Sequence, residues 1–271
     1  MITPSGRSRT VNANGLRHRV LSYGATGPDL LVLPGITTTA LAAEFIAVAL
    51  AQTHRVHVPD LRGRGGTERA APGRYRLADY ADDVSALVTA LGLTAPAVVG
   101  HSLGARIAAA YSVRSRGAHG PLVLIDPPLS GPGRDPYPTT AAAFAAQLDE
   151  AYAGTTEEAV RRHYPGWPAP QLRIRAQELA SCDRTAVLET HRGFHDEDFF
   201  AHWPALRPPA VLVRGEDSPV VTDAGARELR TANPRVPVLT VPAAGHMVPW
   251  DNWPGCRVVL TQFLTSQGSE P

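Results

Sequence analysis

The chain has 271 residues, 44% of them apolar, and a formal net charge of +1. That length predicts one large domain, or one domain with an insertion. The near-neutral charge excludes the usual signature of a nucleic-acid or anionic-membrane partner. No apolar run follows Met1–Arg7, and the longest apolar helix, near 40–51, is interrupted by Glu44. Neither a secretory signal nor a membrane span is therefore expected, and a cytoplasmic location is. The two cysteines, Cys182 and Cys256, are far apart and have no metal-ligand or disulfide spacing. All 26 residues counted as lysine or arginine are arginine. Schiff-base chemistry through a lysine amine is thereby excluded, and neither metal nor cofactor is expected.

In chain order, His18–Tyr23 follows Asn14-Gly15 and reads as the second arm of a hairpin. Leu30–Leu33 is a short buried strand ending at Pro34-Gly35, and Arg55–Val58 is the next, ending at Pro59-Asp60. Ala95–Gly100, Pro121–Ile125, Ala210–Val213 and Val236–Val241 follow as strands. Helices are expected over 40–52, 77–91, 103–115, 222–232 and 256–266. This alternation predicts an α/β fold, a mostly parallel sheet covered by helices. Residues 134–205 break the rhythm. They hold many helix formers, no β-branched run, and Trp167, Phe194, Phe199, Phe200 and Trp203. We expect a helical cap there, set over the strand ends of a core formed by 1–133 and 206–271. Most of its aromatics are expected to pack the cap itself.

The run Val98-Val99-Gly100-His101-Ser102-Leu103-Gly104-Ala105 places Gly-x-Ser-x-Gly between a strand and a helix. Such an elbow lifts the serine hydroxyl to the sheet end at a helix N-terminus, where backbone N–H groups can hold a developing oxyanion. Ser102 is the candidate nucleophile. A serine needs a base to take its proton, and His246 stands in the loop after the last strand, beside Gly245. The other nine histidines are placed less well: His18, His54, His57 and His119 lie far from the strand ends, and His163, His191, His195 and His202 lie in the cap. His101 neighbours Ser102, but its side chain should point away. The histidine needs an acid. Asp126 closes the strand after the elbow and Asp217 lies just past the next, so both qualify; spacing alone favours Asp217. The oxyanion donors should be the N–H groups of Leu103 and Ile36, with Thr37 able to offer a hydroxyl to substrate. Asp60-Leu61-Arg62-Gly63-Arg64-Gly65-Gly66 lacks phosphate-loop spacing and reads as a turn tied down by Asp60 and Arg62.

With these residues in hand, the chain resembles the α/β-hydrolase superfamily over nearly its whole length. That resemblance implies a mostly parallel eight-stranded sheet flanked by helices, and the chain order serine, acid, histidine. The segments Leu124-Ile125-Asp126-Pro127-Pro128-Leu129-Ser130-Gly131-Pro132-Gly133 and Gly245-His246-Met247-Val248-Pro249-Trp250-Asp251 are more closely similar to the N-formylmaleamate deformylases, bacterial enzymes of nicotinate degradation. The closer resemblance implies that Asp126 rather than Asp217 is the acid. It implies deformylation to maleamate and formate through a formyl-serine, without metal or cofactor. The substrate would be a small molecule carrying a carboxylate, and Arg192 is the candidate cation for it. The alternatives are a cofactor-free ester or carbon–carbon bond hydrolase, and a ligand-binding relative that has lost activity.

Overall fold

The computed structural model describes residues 4–266. Asn14 and Gly15 both take positive φ, 47° and 74°, the backbone of a two-residue turn whose twist matches paired strands. The turn joins β1 (Arg7–Ala13) to β2 (Leu16–Tyr23) in antiparallel register. Beyond them come β3 (Asp29–Leu33), β4 (Arg55–Pro59), β5 (Ala97–His101), β6 (Leu122–Ile125), β7 (Ala210–Gly215) and β8 (Val238–Val241). All eight form one sheet in the order β1-β2-β4-β3-β5-β6-β7-β8. Pairing is antiparallel from β1 to β4 and parallel from there to β8.

The central strands are covered on both faces, so they carry unbroken apolar runs rather than alternation. Their side chains still divide by twos. Leu31, Leu33, Val98, Leu122, Leu124 and Leu212 join one core, with α2 (Leu77–Ala90), α3 (Leu103–Arg114) and α8 (Asp223–Ala232). Leu30, Val32, Val99, Val123, Ile125 and Val213 join the other, with α1 (Glu44–Leu50) and α10 (Trp253–Ser266). The helix expected over 40–52 is confined to α1. Ahead of it Ala40 N–H donates to Asp60 Oδ1 at 2.7 Å and Ala42 N–H to Thr39 Oγ1 at 3.3 Å. Side chains thus hold these residues in turns.

Between β6 and β7 the chain leaves the sheet for α4 (Ala141–Gly154), α5 (Glu157–His163), α6 (Ala169–Glu178) and α7 (Arg184–Asp196). Thr140, Thr156 and Asp183 cap α4, α5 and α7 by accepting the N–H three residues on. The aromatics of this segment pin it to the core as well as to itself. Trp203, fully buried, donates its indole N–H to Leu229 O of α8 at 2.8 Å. Trp167 stacks on Trp250 of the short helix α9 (Val248–Asp251) at 5.6 Å. The Asp60 loop is a structural turn: Asp60 accepts from Ala40, Gly66 and Arg19, and Arg62 forks onto Asp83 at 2.6 and 2.7 Å. Among the described residues no helix is long and apolar enough to cross a membrane.

Candidate active site

Ser102 sits between β5 and α3 with φ 55° and ψ −114°, a left-handed backbone that a serine holds only where its surroundings over-determine it. Those surroundings are tight. A Cβ on Gly100 would lie 2.2 Å from Gly104 O, and one on Gly104 would lie 2.0 Å from Leu33 O. Only hydrogen fits at either place, which is why the glycines flank the serine. Ser102 N–H donates to Ile125 O at 2.8 Å, locking the elbow onto β6.

His246 reaches across from the loop between β8 and α9. Its Nε2 lies 2.9 Å from Ser102 Oγ and its Nδ1 lies 2.8 Å from Asp126 Oδ2. A carboxylate can only accept, so Nδ1 carries the proton and Nε2 offers its lone pair to the serine hydroxyl. Asp126 is fully buried at the end of β6, at a φ of 47°. Besides the histidine, it accepts from Ser218 Oγ at 2.5 Å and from Gly215 N–H at 3.3 Å. Of the two carboxylates that the sequence left in competition, Asp217 is exposed, and its backbone N–H bonds to Ala244 O. The tip of β7 directs Ser218, not Asp217, toward the histidine's carboxylate.

The loop after β3 lies beneath this chain of bonds. Ile36 O accepts from Arg64 Nε at 3.0 Å and Thr37 O accepts from Arg175 Nη1 at 2.5 Å. Two buried guanidinium groups therefore hold the loop by its carbonyls. The N–H groups of Ile36 and Leu103 enter no turn, cap or side-chain hydrogen bond among the described residues. His101, on β5, sets its ring beside Gly35 of this loop and lines the same cavity as Ser102. Its Nε2–H donates to His246 O at 2.9 Å. Burial, with His246 close by, pushes it down to about 3, so it is neutral.

A cavity of about 180 Å³ opens over Ser102. Gly35, Ile36, Thr37, Thr38, His101 and His246 form its floor, and Tyr137, Thr139, Phe144, Gln147, Tyr164 and Arg175 its cap side. Arg192 is not part of it. That residue is exposed on α7 and borders an outer surface cleft with Gly73, Tyr75 and Glu189. The packing of α7 turns His191 and Phe194 inward and leaves Arg192 outside. The cation at the cavity is Arg175, 7% exposed, and no carboxylate of the described residues pairs with it. A signal for it lay in the sequence. Leu172, Arg175 and Leu179 share one buried helical stripe, and an arginine at an apolar position is there for a polar reason. Tyr137 was also missed. Its hydroxyl lies 3.2 Å from His246 Nε2.

Residues 28–252 match the family described as alpha/beta hydrolase fold. The chain belongs to that family and is a hydrolase by fold. It is 35% identical to N-formylmaleamate deformylase of Pseudomonas putida, over 94% of this chain and 95% of that one. The crystal structure of an N-formylmaleamic acid deformylase from Pseudomonas putida, a serine-to-alanine variant, superposes with a TM-score of 0.88 at 36% identity. It covers 94% of this chain and all of the other. The 2-(acetamidomethylene)succinate hydrolase of Mesorhizobium japonicum is 29% identical over 89% of each chain. A crystal structure of an E-2-(acetamidomethylene)succinate hydrolase superposes at 0.80, with 27% identity and coverage of 96% and 99%.

Proposed function

We propose that the chain is a cofactor-free serine hydrolase that cleaves N-formylmaleamate to maleamate and formate, a cytoplasmic step of nicotinate breakdown. The observation that carries this reading is the hydrogen-bonded chain Asp126–His246–Ser102 beneath a small cavity lined by Arg175, a cation that no carboxylate of the described residues neutralises. The similarity to the deformylase and to the 2-(acetamidomethylene)succinate hydrolase supports it.

In this mechanism Ser102 Oγ attacks the formyl carbon while its proton passes to His246 Nε2. Asp126 stabilises the imidazolium that forms. The Ile36 and Leu103 N–H groups receive the oxyanion. The proton held on His246 then goes to the imide nitrogen, the carbon–nitrogen bond breaks, and maleamate leaves. A water that gives its proton to His246 attacks the formyl-serine. Collapse of that second intermediate returns the proton to Ser102 and frees formate. Arg175 receives the substrate carboxylate, with Thr37 and Gln147 as neighbouring polar groups. A fork of charge-assisted hydrogen bonds fixes the far end, so that the formyl carbon lies against the serine.

The test is formate release from N-formylmaleamate by the purified protein, with Ser102→Ala as control. Serine-dependent release supports the reading. If the wild type turns over a simple aryl ester and leaves N-formylmaleamate intact, the hydrolase stands and the substrate does not. If Ser102→Ala retains wild-type release, the serine mechanism is wrong.

A further inference from the structure

We infer that Tyr137 is a catalytic residue of this site, its hydroxyl carrying the proton from His246 to the departing nitrogen. The inference rests on the serine mechanism above and adds a group to it.

The segment Asp135-Pro136-Tyr137-Pro138 leads from the Asp126 loop into the cap. A proline on each side restricts the backbone of this segment. The ring is held as well: Phe194 lies 5.0 Å away, Phe144 stacks at 6.3 Å and His191 meets it edge-on at 6.2 Å. Tyr137 is 6% exposed, yet its hydroxyl opens on the cavity over Ser102. That oxygen is 3.2 Å from His246 Nε2. A structural tyrosine would direct its hydroxyl to a backbone carbonyl or to water. Tyr137 directs it to His246 Nε2, the atom that takes the serine's proton and must give it up again. Burial, with Asp126 nearby, raises the phenol above its ordinary range. It therefore stays protonated at any working pH and is a standing donor.

The atoms balance as follows. In the resting site His246 Nδ1–H is committed to Asp126, so Nε2 accepts from Ser102. After attack, Nε2 bears the serine's proton and the tetrahedral carbon carries the imide nitrogen. Tyr137 O accepts the Nε2 proton while its own O–H proton passes to that nitrogen. The carbon–nitrogen bond then breaks, leaving neutral His246, neutral Tyr137 and protonated maleamate nitrogen. No other reactant is needed. The relay serves a leaving nitrogen, which must be protonated to depart. A phenoxide leaving group departs without it, and so does the attack of water on formyl-serine.

Tyr137→Phe keeps the ring and its packing and removes only the hydroxyl. We expect single-turnover formation of formyl-enzyme from N-formylmaleamate to slow about 100-fold, in the range of one general acid. Formyl-enzyme breakdown should stay within about 3-fold of wild type, as should acylation by phenyl formate; these two rates control for folding and for the Ser102–His246 pair. The assignment is overturned if Tyr137→Phe leaves acylation by N-formylmaleamate unchanged. It is equally overturned if acylation by the ester, or breakdown, falls as far as acylation by the imide, or if only KM moves. Should the wild type not accept N-formylmaleamate, the substrate reading fails on its own, and formanilide replaces it against phenyl formate. The same ratio of rates then decides the role of Tyr137.

Discussion

Replacing Asp126 by asparagine alters one atom, and the structure says which way the new amide must turn. Asp126 Oδ1 accepts from Gly215 N–H at 3.3 Å, and Oδ2 accepts from His246 at 2.8 Å and Ser218 at 2.5 Å. The Gly215 donor belongs to the backbone of β7 and cannot move, so the asparagine oxygen takes the Oδ1 place. Its NH2 group then faces His246 Nδ1. Two donors repel, and the imidazole shifts its proton to Nε2, where it can no longer accept the Ser102 proton. Ser218 adapts by rotating its hydroxyl to accept, so the fold should survive. The wrong tautomer costs about 10⁴-fold in kcat in serine hydrolases of this design, about 5 kcal/mol of transition-state stabilisation. Asp217→Asn alters an exposed side chain and should leave kcat within about 2-fold. The assay is formate release at saturating substrate for both variants, with thermal melting to confirm folding. A larger loss at Asp217 than at Asp126, or more than a tenth of wild-type kcat in Asp126→Asn, would refute the reasoning.

Arg175→Met should raise KM for N-formylmaleamate about 10- to 100-fold, as expected for losing a hydrogen-bonded charge pair of about 1.5–3 kcal/mol. Turnover of an uncharged formyl ester should fall too, because Thr37 O loses its Arg175 donor, but by less than turnover of the charged substrate, and Arg192→Met should change neither; initial-rate kinetics on both substrates separates these outcomes. His101 should give a pH signature in urea unfolding. Its folded pKa of about 3 lies below the unfolded value, so the unfolded chain binds the extra proton between the two. Its stability contribution is complete above about pH 6.5 and is lost at up to about 1.4 kcal/mol per pH unit as pH falls toward 3. His101→Gln should make the acid side of the stability curve shallower by that slope; an unchanged slope would show that His101 is not buried as a neutral ring.

The nucleophile elbow, the histidine loop and the loop after β3 follow strand and helix ends, and the sequence alone placed them in the chain. Gly100 is demanded by the first turn of α3, at Gly104 and Ala105, and Gly104 by the end of the neighbouring strand β3, at Leu33 and Pro34. Ile36 and Leu103 follow from where a strand stops and a helix begins. Seven of the eight strands were legible for a related reason; β1, mostly exposed, has no apolar run. In a sheet covered on both faces, apolar runs such as Leu30–Leu33 and Leu122–Ile125 announce themselves. What spacing could not decide was the choice between chemically equal residues, although the resemblance of the Asp126 segment already implied which carboxylate is the acid. Asp126 and Asp217 both follow parallel strands, and only the path of the loop after β7 sends Ser218 inward and leaves Asp217 in solvent. The cap carries several arginines, and the packing of α6 against α5 and of α7 against α4 decides that Arg175 faces the cavity while Arg192 faces water. Tyr137 carries no local pattern at all; it meets His246 across 109 positions of chain. Local sequence specifies backbone conformation because turns and helix starts depend on near neighbours. Which side chains converge on a reacting atom depends on contacts made far along the chain, and those exist only once the cap has docked on the sheet.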